Sequence, residues 1–220
     1  MRVVLVYGDS NTWGHIPVDD ENIQSKKRFE PNVRWTGVLQ NTLGDRYHVI
    51  EEGLNGRTTV WDDPVRGGNK RNGSVYLLPC LESHSPIDLV VMMLGTNDLK
   101  ARFAVTAYDI AESVGFLIEI VKKSGCGPEG GSPEILVVSP PPLGTLSAYA
   151  ETFSGGVEKS KRLSRHYSRI AKQYGCHFLD AGSIICSSRV DGLHIDREDQ
   201  GALGKAIAQS VNDIFSGADS

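Results

Sequence analysis

The sequence predicts an α/β fold, a three-layer α/β/α sandwich on a five-stranded parallel sheet. Three observations carry this. Short apolar runs alternate with longer amphipathic stretches, the pattern of repeated βαβ units. Several runs are apolar throughout rather than at every second position, as strands covered on both faces are. A length of 220 residues suits one α/β domain, so the chain is read as a single domain, 1–220.

The strands expected are Val3–Tyr7, Tyr47–Glu51, Asp88–Leu94, Glu134–Ser139 and His177–Asp180. Helices are expected between and after them. Asn32–Leu43 stops at Gly44, and Ser74–Ser83 stops near Pro86. Thr106–Ser124 opens on Thr106 as N-cap and stops at Gly125. Gly156–Tyr174 stops at Gly175. Arg197–Phe215 follows Asp196 as N-cap and lines up Leu203, Ile207, Val211 and Ile214 on one face. Three connections are long or rich in breakers: His15–Pro31, Thr58–Gly73 and Pro140–Gly155. Loops of that length in a compact domain commonly carry function. Gly125–Pro133 reads as a plain surface connector.

Composition narrows the function. The chain is 40% hydrophobic and 23% charged, with a net charge of −4 and no basic block, which argues against a nucleic-acid partner. The longest apolar runs, such as Ile87 to Leu94, are strand-length and far short of a membrane span. The N-terminal run reaches Gly8-Asp9-Ser10 without a long apolar region or a cleavage site, so it reads as a first strand rather than a leader. Cys80, Cys126, Cys176 and Cys186 are widely spaced, which suits free thiols and a cytoplasmic location. No His/Cys/Asp cluster shows metal-ligand spacing, and no metal or cofactor is expected.

Four segments carry candidate chemistry, and each follows a predicted strand. In a parallel sheet those ends meet at one rim, where ligands of open α/β sheets bind. Gly8-Asp9-Ser10 places a hydroxyl at a helix start, where backbone N–H groups favour a developing negative charge. Taken alone, it is equally an N-cap and a turn. Asp191-Gly192-Leu193-His194 sets a carboxylate three residues before an imidazole. The carboxylate can accept from Nδ1 and leave the other ring nitrogen for a serine proton. The other five histidines, His15, His48, His84, His166 and His177, lack this arrangement and read as structural or surface residues. Gly95-Thr96-Asn97-Asp98 offers a side-chain amide, though all four residue types are turn formers. Glu52-Gly53-Leu54-Asn55-Gly56-Arg57 has glycines that let backbone approach a ligand, or simply make a turn.

In this order the four segments resemble the motif blocks of the SGNH (GDSL-type) serine hydrolases, over residues 8 to 194. Val33-Arg34-Trp35-Thr36-Gly37-Val38-Leu39, Ile50-Glu51-Glu52-Gly53-Leu54, Val137-Val138-Ser139-Pro140-Pro141-Pro142-Leu143 and Asp180-Ala181-Gly182-Ser183 are similar to the bacterial aryl esterase/acyltransferase subgroup. The resemblance implies the flavodoxin-like sandwich of that family. It implies Ser10 as nucleophile with His194 and Asp191 completing a triad. The oxyanion hole would be made by the Ser10 and Gly56 N–H groups and the Asn97 amide. It implies a small ester as substrate, water or an alcohol as acyl acceptor, and a homo-oligomer. Asn11 departs from the family's usual Leu and makes the wall beside the nucleophile more polar. Gly56 replaces a small side chain. Trp13, Pro141, Phe153 and Ile195 are expected to line the pocket with Asn11. Within the superfamily, a carbohydrate O-deacetylase or a thioesterase/lysophospholipase fits the same motifs. Outside it, the alternative is a non-catalytic binding module, although Asp9 would repel an anion at the helix start.

Overall fold

A computed structural model describes residues 1–19 and 27–216. Five strands, β1 (Arg2–Gly8), β2 (Tyr47–Gly53), β3 (Leu89–Met93), β4 (Glu134–Ser139) and β5 (His177–Asp180), form one sheet in the order β2-β1-β3-β4-β5. Every neighbouring pair is parallel. Among the described residues, seven α-helices accompany the sheet: α1 (Ser10–Trp13), α2 (Trp35–Leu43), α3 (Gly73–His84), α4 (Ala107–Lys123), α5 (Gly156–Ser160), α6 (Leu163–Tyr174) and α7 (Arg197–Ser216).

The central strands are buried on both faces, which is why they read as continuous apolar runs. Val4, Val6, Leu89, Val91, Leu136 and Val138 pack against α2 and α7 through Trp35, Leu39, Leu203, Ile207 and Val211. Leu5, Tyr7, Val90, Met92, Ile135 and Val137 face α3, α4 and α6 through Leu77, Leu81, Ile110, Val114, Leu117 and Ile170. Alternation of side chains along each strand divides them between the two layers. The chain leaves β1 toward β2 and returns across it to β3, so β1 and β3 form the switch point of the sheet. Gly8 of β1 lies in register with Met93 of β3, so the segments that follow them open side by side.

Three expected helices differ in the structure. The helix expected from Asn32 starts at Trp35, because Val33 and Arg34 N–H groups close a turn onto the Glu30 carbonyl and Arg34 is extended. The helix expected over Gly156–Tyr174 is two, α5 and α6. The break follows Ser160, whose hydroxyl donates to the Val157 carbonyl and accepts from Leu143 N–H. The helix start at Ser10 is a single four-residue turn, and its N-cap is Asp9 rather than Ser10. Thr106 caps α4 as expected, in a reciprocal capping box with Asp109. Part of the long connection His15–Pro31, residues 20–26, lies outside the described residues.

The α2–α7 contact depends on a glycine. A Cβ on Gly204 would lie 2.6 Å from the Trp35 carbonyl oxygen, whereas one on Gly201, also in α7, meets nothing within 4 Å. Gly201→Ala should therefore stabilise the protein by about 0.5–1 kcal/mol through helix propensity. Gly204→Ala should cost about 1–3 kcal/mol through overpacking. Urea unfolding of both variants checks this, and shifts of the same sign would contradict the packing described.

Candidate active site

The site is assembled by a close crossing of backbone. A Cβ on Gly8 would lie 2.0 Å from Thr12 Oγ1, and one on Gly53 would lie 2.3 Å from the Trp13 backbone nitrogen. Only glycine at these two strand ends lets α1 settle over the rim. Asp9 Oδ1 accepts from Asn11 N–H at 2.9 Å, and Gly14 ends the turn with φ +86°. The Ser10 N–H, at the first helical position, has no intrahelical acceptor.

Ser10 Oγ lies 3.2 Å from His194 Nε2, and His194 Nδ1 lies 2.7 Å from Asp191 Oδ2. This geometry suits donation from Ser10 to Nε2 and from Nδ1–H to the carboxylate. Ser10, His194 and Asp191 are 8%, 4% and 0% exposed. Asp191 also accepts from the N–H groups of Leu193 and His194 at 2.9 Å on Oδ1, and of Val18 at 3.2 Å on Oδ2. Burial alone would raise its pKa. The His194 hydrogen bond and charge, with the His194 and Leu193 N–H groups, outweigh burial and lower it. The turn carrying the pair needs Gly192, which has φ +70° and whose Cβ would strike the Thr145 carbonyl.

Asn97 sits in a 3₁₀ turn, Asn97–Leu99, directly beyond β3. Its Nδ2 is buried and has no hydrogen-bond partner among the described residues. The turn is entered through Gly95, at φ +111°, where a Cβ would lie 2.0 Å from Tyr167 Oη. Asp98 accepts from Thr59 N–H at 3.0 Å and from the Thr59 hydroxyl, which ties this turn to the segment after β2. That segment turns at Gly56, at φ +82°, whereas Gly53 ends β2 in contact with α1. Behind it, the buried Arg57 guanidinium donates to the Gly8 carbonyl at 2.9 Å and to the Glu52 carbonyl, and lies 4.0 Å over the Tyr7 ring. The long loop Thr58–Gly73 is pinned by buried Asp63, whose carboxylate meets Lys100 Nζ and Arg102 Nη1 at 2.9 Å each.

The expected pocket residues separate into groups. Asn11 is buried beside Ser10, with its Nδ2 3.4 Å from the Leu193 carbonyl and its own carbonyl accepting from Trp35 Nε1. Trp13 is half-buried, with its ring 6.1 Å from that of His15. Pro141 is buried. Phe153 packs into the α4–α6 core and meets Tyr149 edge-on at 6.3 Å, and Tyr149 in turn meets His194 edge-on at 6.1 Å. Ile195 is a correction: it is fully buried in the α2–α7 core, because the chain leaves the rim directly after His194. His15 is the main residue the sequence reading passed over. Its ring lies 4.3 Å from that of His194. Its position one residue past the Gly14 cap was the only available signal.

The cluster Glu52, Cys80 and His84 holds donor atoms within 4.8 Å of one another and has the composition of a metal site. The pattern Cys80-x-x-x-His84 puts two ligand types on one helix face, a spacing the sequence reading did not single out. Here Glu52 Oε1 and His84 Nε2 pair with each other at 3.1 Å, and burial pushes the Cys80 thiol up to about 12. No helix among the described residues is long and apolar enough to cross a membrane.

Residues 6–203 match the GDSL-like lipase/acylhydrolase family. The chain is 44% identical to the M. smegmatis aryl esterase, with a TM-score of 0.92, covering 97% of this chain and 99% of that one. It is also 44% identical to Est24, a carbohydrate acetylesterase from Sinorhizobium meliloti, with a TM-score of 0.92 and coverage of 98% and 100%. A lipase/acylhydrolase from Enterococcus faecalis, 17% identical with a TM-score of 0.67, shares the fold. None of the curated proteins compared with the chain matches it.

Asp9 gives a pH test of the site's burial. Burial raises its pKa from the ordinary 3.8 to about 6, against the Asn11 N–H and the charges of His194, Arg57 and Lys100. Between those values the native state holds a proton that the unfolded chain has lost. Its contribution to stability therefore falls as pH rises from about 4 to 6 and is level above that. Asp9→Asn keeps an oxygen for the cap and removes the titration. Unfolding free energies measured at about pH 4, 5, 6 and 7.5 should show a more positive pH slope below pH 6 than wild type. An unchanged slope would contradict the raised pKa.

Proposed function

The chain belongs to the GDSL-like lipase/acylhydrolase family, and we propose that it is a serine esterase acting on small esters through an acyl-enzyme. The observation that carries this is the continuous chain from Ser10 Oγ to His194 Nε2 and from His194 Nδ1 to Asp191. In this reading His194 takes the Ser10 proton as the hydroxyl attacks the ester carbonyl. Asp191, held by its own N–H donors, fixes the tautomer and stabilises the imidazolium. The negative charge on the carbonyl oxygen is received by the Ser10 and Gly56 N–H groups and by Asn97 Nδ2. Asn97 Nδ2, buried and without a partner among the described residues, supports that role, because it is already desolvated before substrate arrives. His194 then protonates the departing alcohol. Water, or a second alcohol, releases the acyl group by the reverse path.

Ser10, Asn97 and His194 are each less than a tenth exposed, which favours a small acyl group such as acetyl. The likeness to Est24 supports a second substrate class, acetylated carbohydrates, at the same site. The four free cysteines support a reducing, cytoplasmic setting.

Aryl esters from acetyl to decanoyl, assayed beside acetylated sugars and an acyl thioester, test the assignment. Acetyl esters should be turned over fastest, and a preference for the long chains would contradict the narrow site. Ser10→Ala should abolish turnover. Asn97→Ala should lower kcat by about 10²–10³.

A further inference from the structure

His15 begins the segment beyond α1. Its N–H donates to the Ser10 carbonyl at 3.0 Å, which ties it to the turn that carries the nucleophile. Its side chain is turned inward: the residue is 7% exposed, and Nδ1 is buried with no hydrogen-bond partner among the described residues. The imidazole lies 4.3 Å from that of His194, centroid to centroid, at an interplanar angle of 48°. Tyr149 meets His194 edge-on at 6.1 Å.

His194 is tethered at Nδ1 by Asp191 and reaches Ser10 through Nε2. Hydrogen bonds at ring nitrogens lie near the ring plane. They fix where the nitrogens sit within that plane, but they resist a swing out of it only weakly. Contact between rings opposes such a swing. A base must also reach two oxygens in turn, the serine hydroxyl and the departing alcohol, so a small out-of-plane error affects both proton transfers.

We propose that His15 is a positioning residue, whose imidazole packs against His194 and holds its Nε2 on the Ser10 hydroxyl. The inference rests on the reading of His194 as the base of an esterase. It assigns His15 a role of shape rather than proton transfer. Burial, followed by the neighbouring His194, lowers the pKa of His15 to about 4, with Asp191 raising it and Arg66 lowering it. The other rings packed nearby, Trp13 and Tyr149, are uncharged at neutral pH. His15 is therefore neutral in the working range and does not repel the imidazolium formed beside it.

The test compares aryl acetate hydrolysis by wild type, His15→Ala and His15→Phe, with Ser10→Ala as control. His15→Ala should lower kcat roughly 10- to 100-fold and leave KM within about twofold. His15→Phe, which keeps a flat ring, should recover kcat to within about threefold, with the wild-type pH profile of kcat/KM. Should His15→Ala lose the native near-ultraviolet circular dichroism, His15→Leu takes its place, since it keeps bulk without a flat ring. Unchanged kcat in the Ala or Leu variant, a loss confined to KM, a displaced pH profile in the Phe variant, or a Phe variant as slow as Ala would each overturn the proposal. Turnover that survives Ser10→Ala would instead overturn the esterase reading itself.

Discussion

The arrangement of the site depends on one steric constraint, the close crossing of the α1 backbone over the ends of β1 and β2. Gly8 and Gly53 have no room for a Cβ there. Because both strand ends yield, a single four-residue turn can present Ser10 at the rim, with Asp9 capping it from below. Trp35 then reaches across from α2 to hold the Asn11 carbonyl, and Asn11 reaches the Leu193 carbonyl beside His194. Ser10 and His194, contributed by opposite ends of the chain, thus meet directly at 3.2 Å and are joined a second time through the Asn11–Leu193 hydrogen bond.

Electrostatics follow from the burial this crossing creates. Asp191 remains ionised in a dry setting because backbone N–H groups and His194 supply more than burial removes. Asp9 and Asp98 have fewer compensating donors, and burial raises both to about 6. Asp98 nonetheless joins the Asn97 turn to the segment carrying Gly56, through Thr59. The candidate oxyanion donors are thus fixed to one another rather than free to adjust. Such preorganisation is what stabilises developing charge at low cost in reorganisation. The Asp63, Lys100 and Arg102 group gives the neighbouring long loop a comparable anchor. Asp63 is the hub of this group, and removing it would leave the buried Lys100 ammonium without its partner.

The sheet was legible in the sequence because fully covered strands are continuous apolar runs, and β4 and β5 fall within the expected bounds. The site motifs were legible for a related reason. Asp191 and His194 meet through a local turn, and each of the other segments begins where a strand ends. Contacts that join distant segments were harder to see. His15 reaches His194 across nearly the whole chain, and Arg57 supports the Gly8 carbonyl from another loop. Ile195 was misplaced because proximity in sequence to His194 does not reveal the direction in which the chain turns. The contact of Tyr149, which also meets Phe153, with His194 likewise joins segments far apart in the chain. The α5–α6 break was hidden for the same reason: Ser160 stops the helix by serving Leu143 in another loop.

The central claim is that Ser10, activated by His194, is the group that attacks an acyl carbon. Covalent labelling with a fluorophosphonate, followed by mapping of the modified peptide, tests it most directly. The account predicts one label per chain, on Ser10, formed at least about 100-fold more slowly in His194→Ala because general-base assistance is gone. A label on any other residue, or labelling of Ser10 at an unchanged rate without His194, would contradict it.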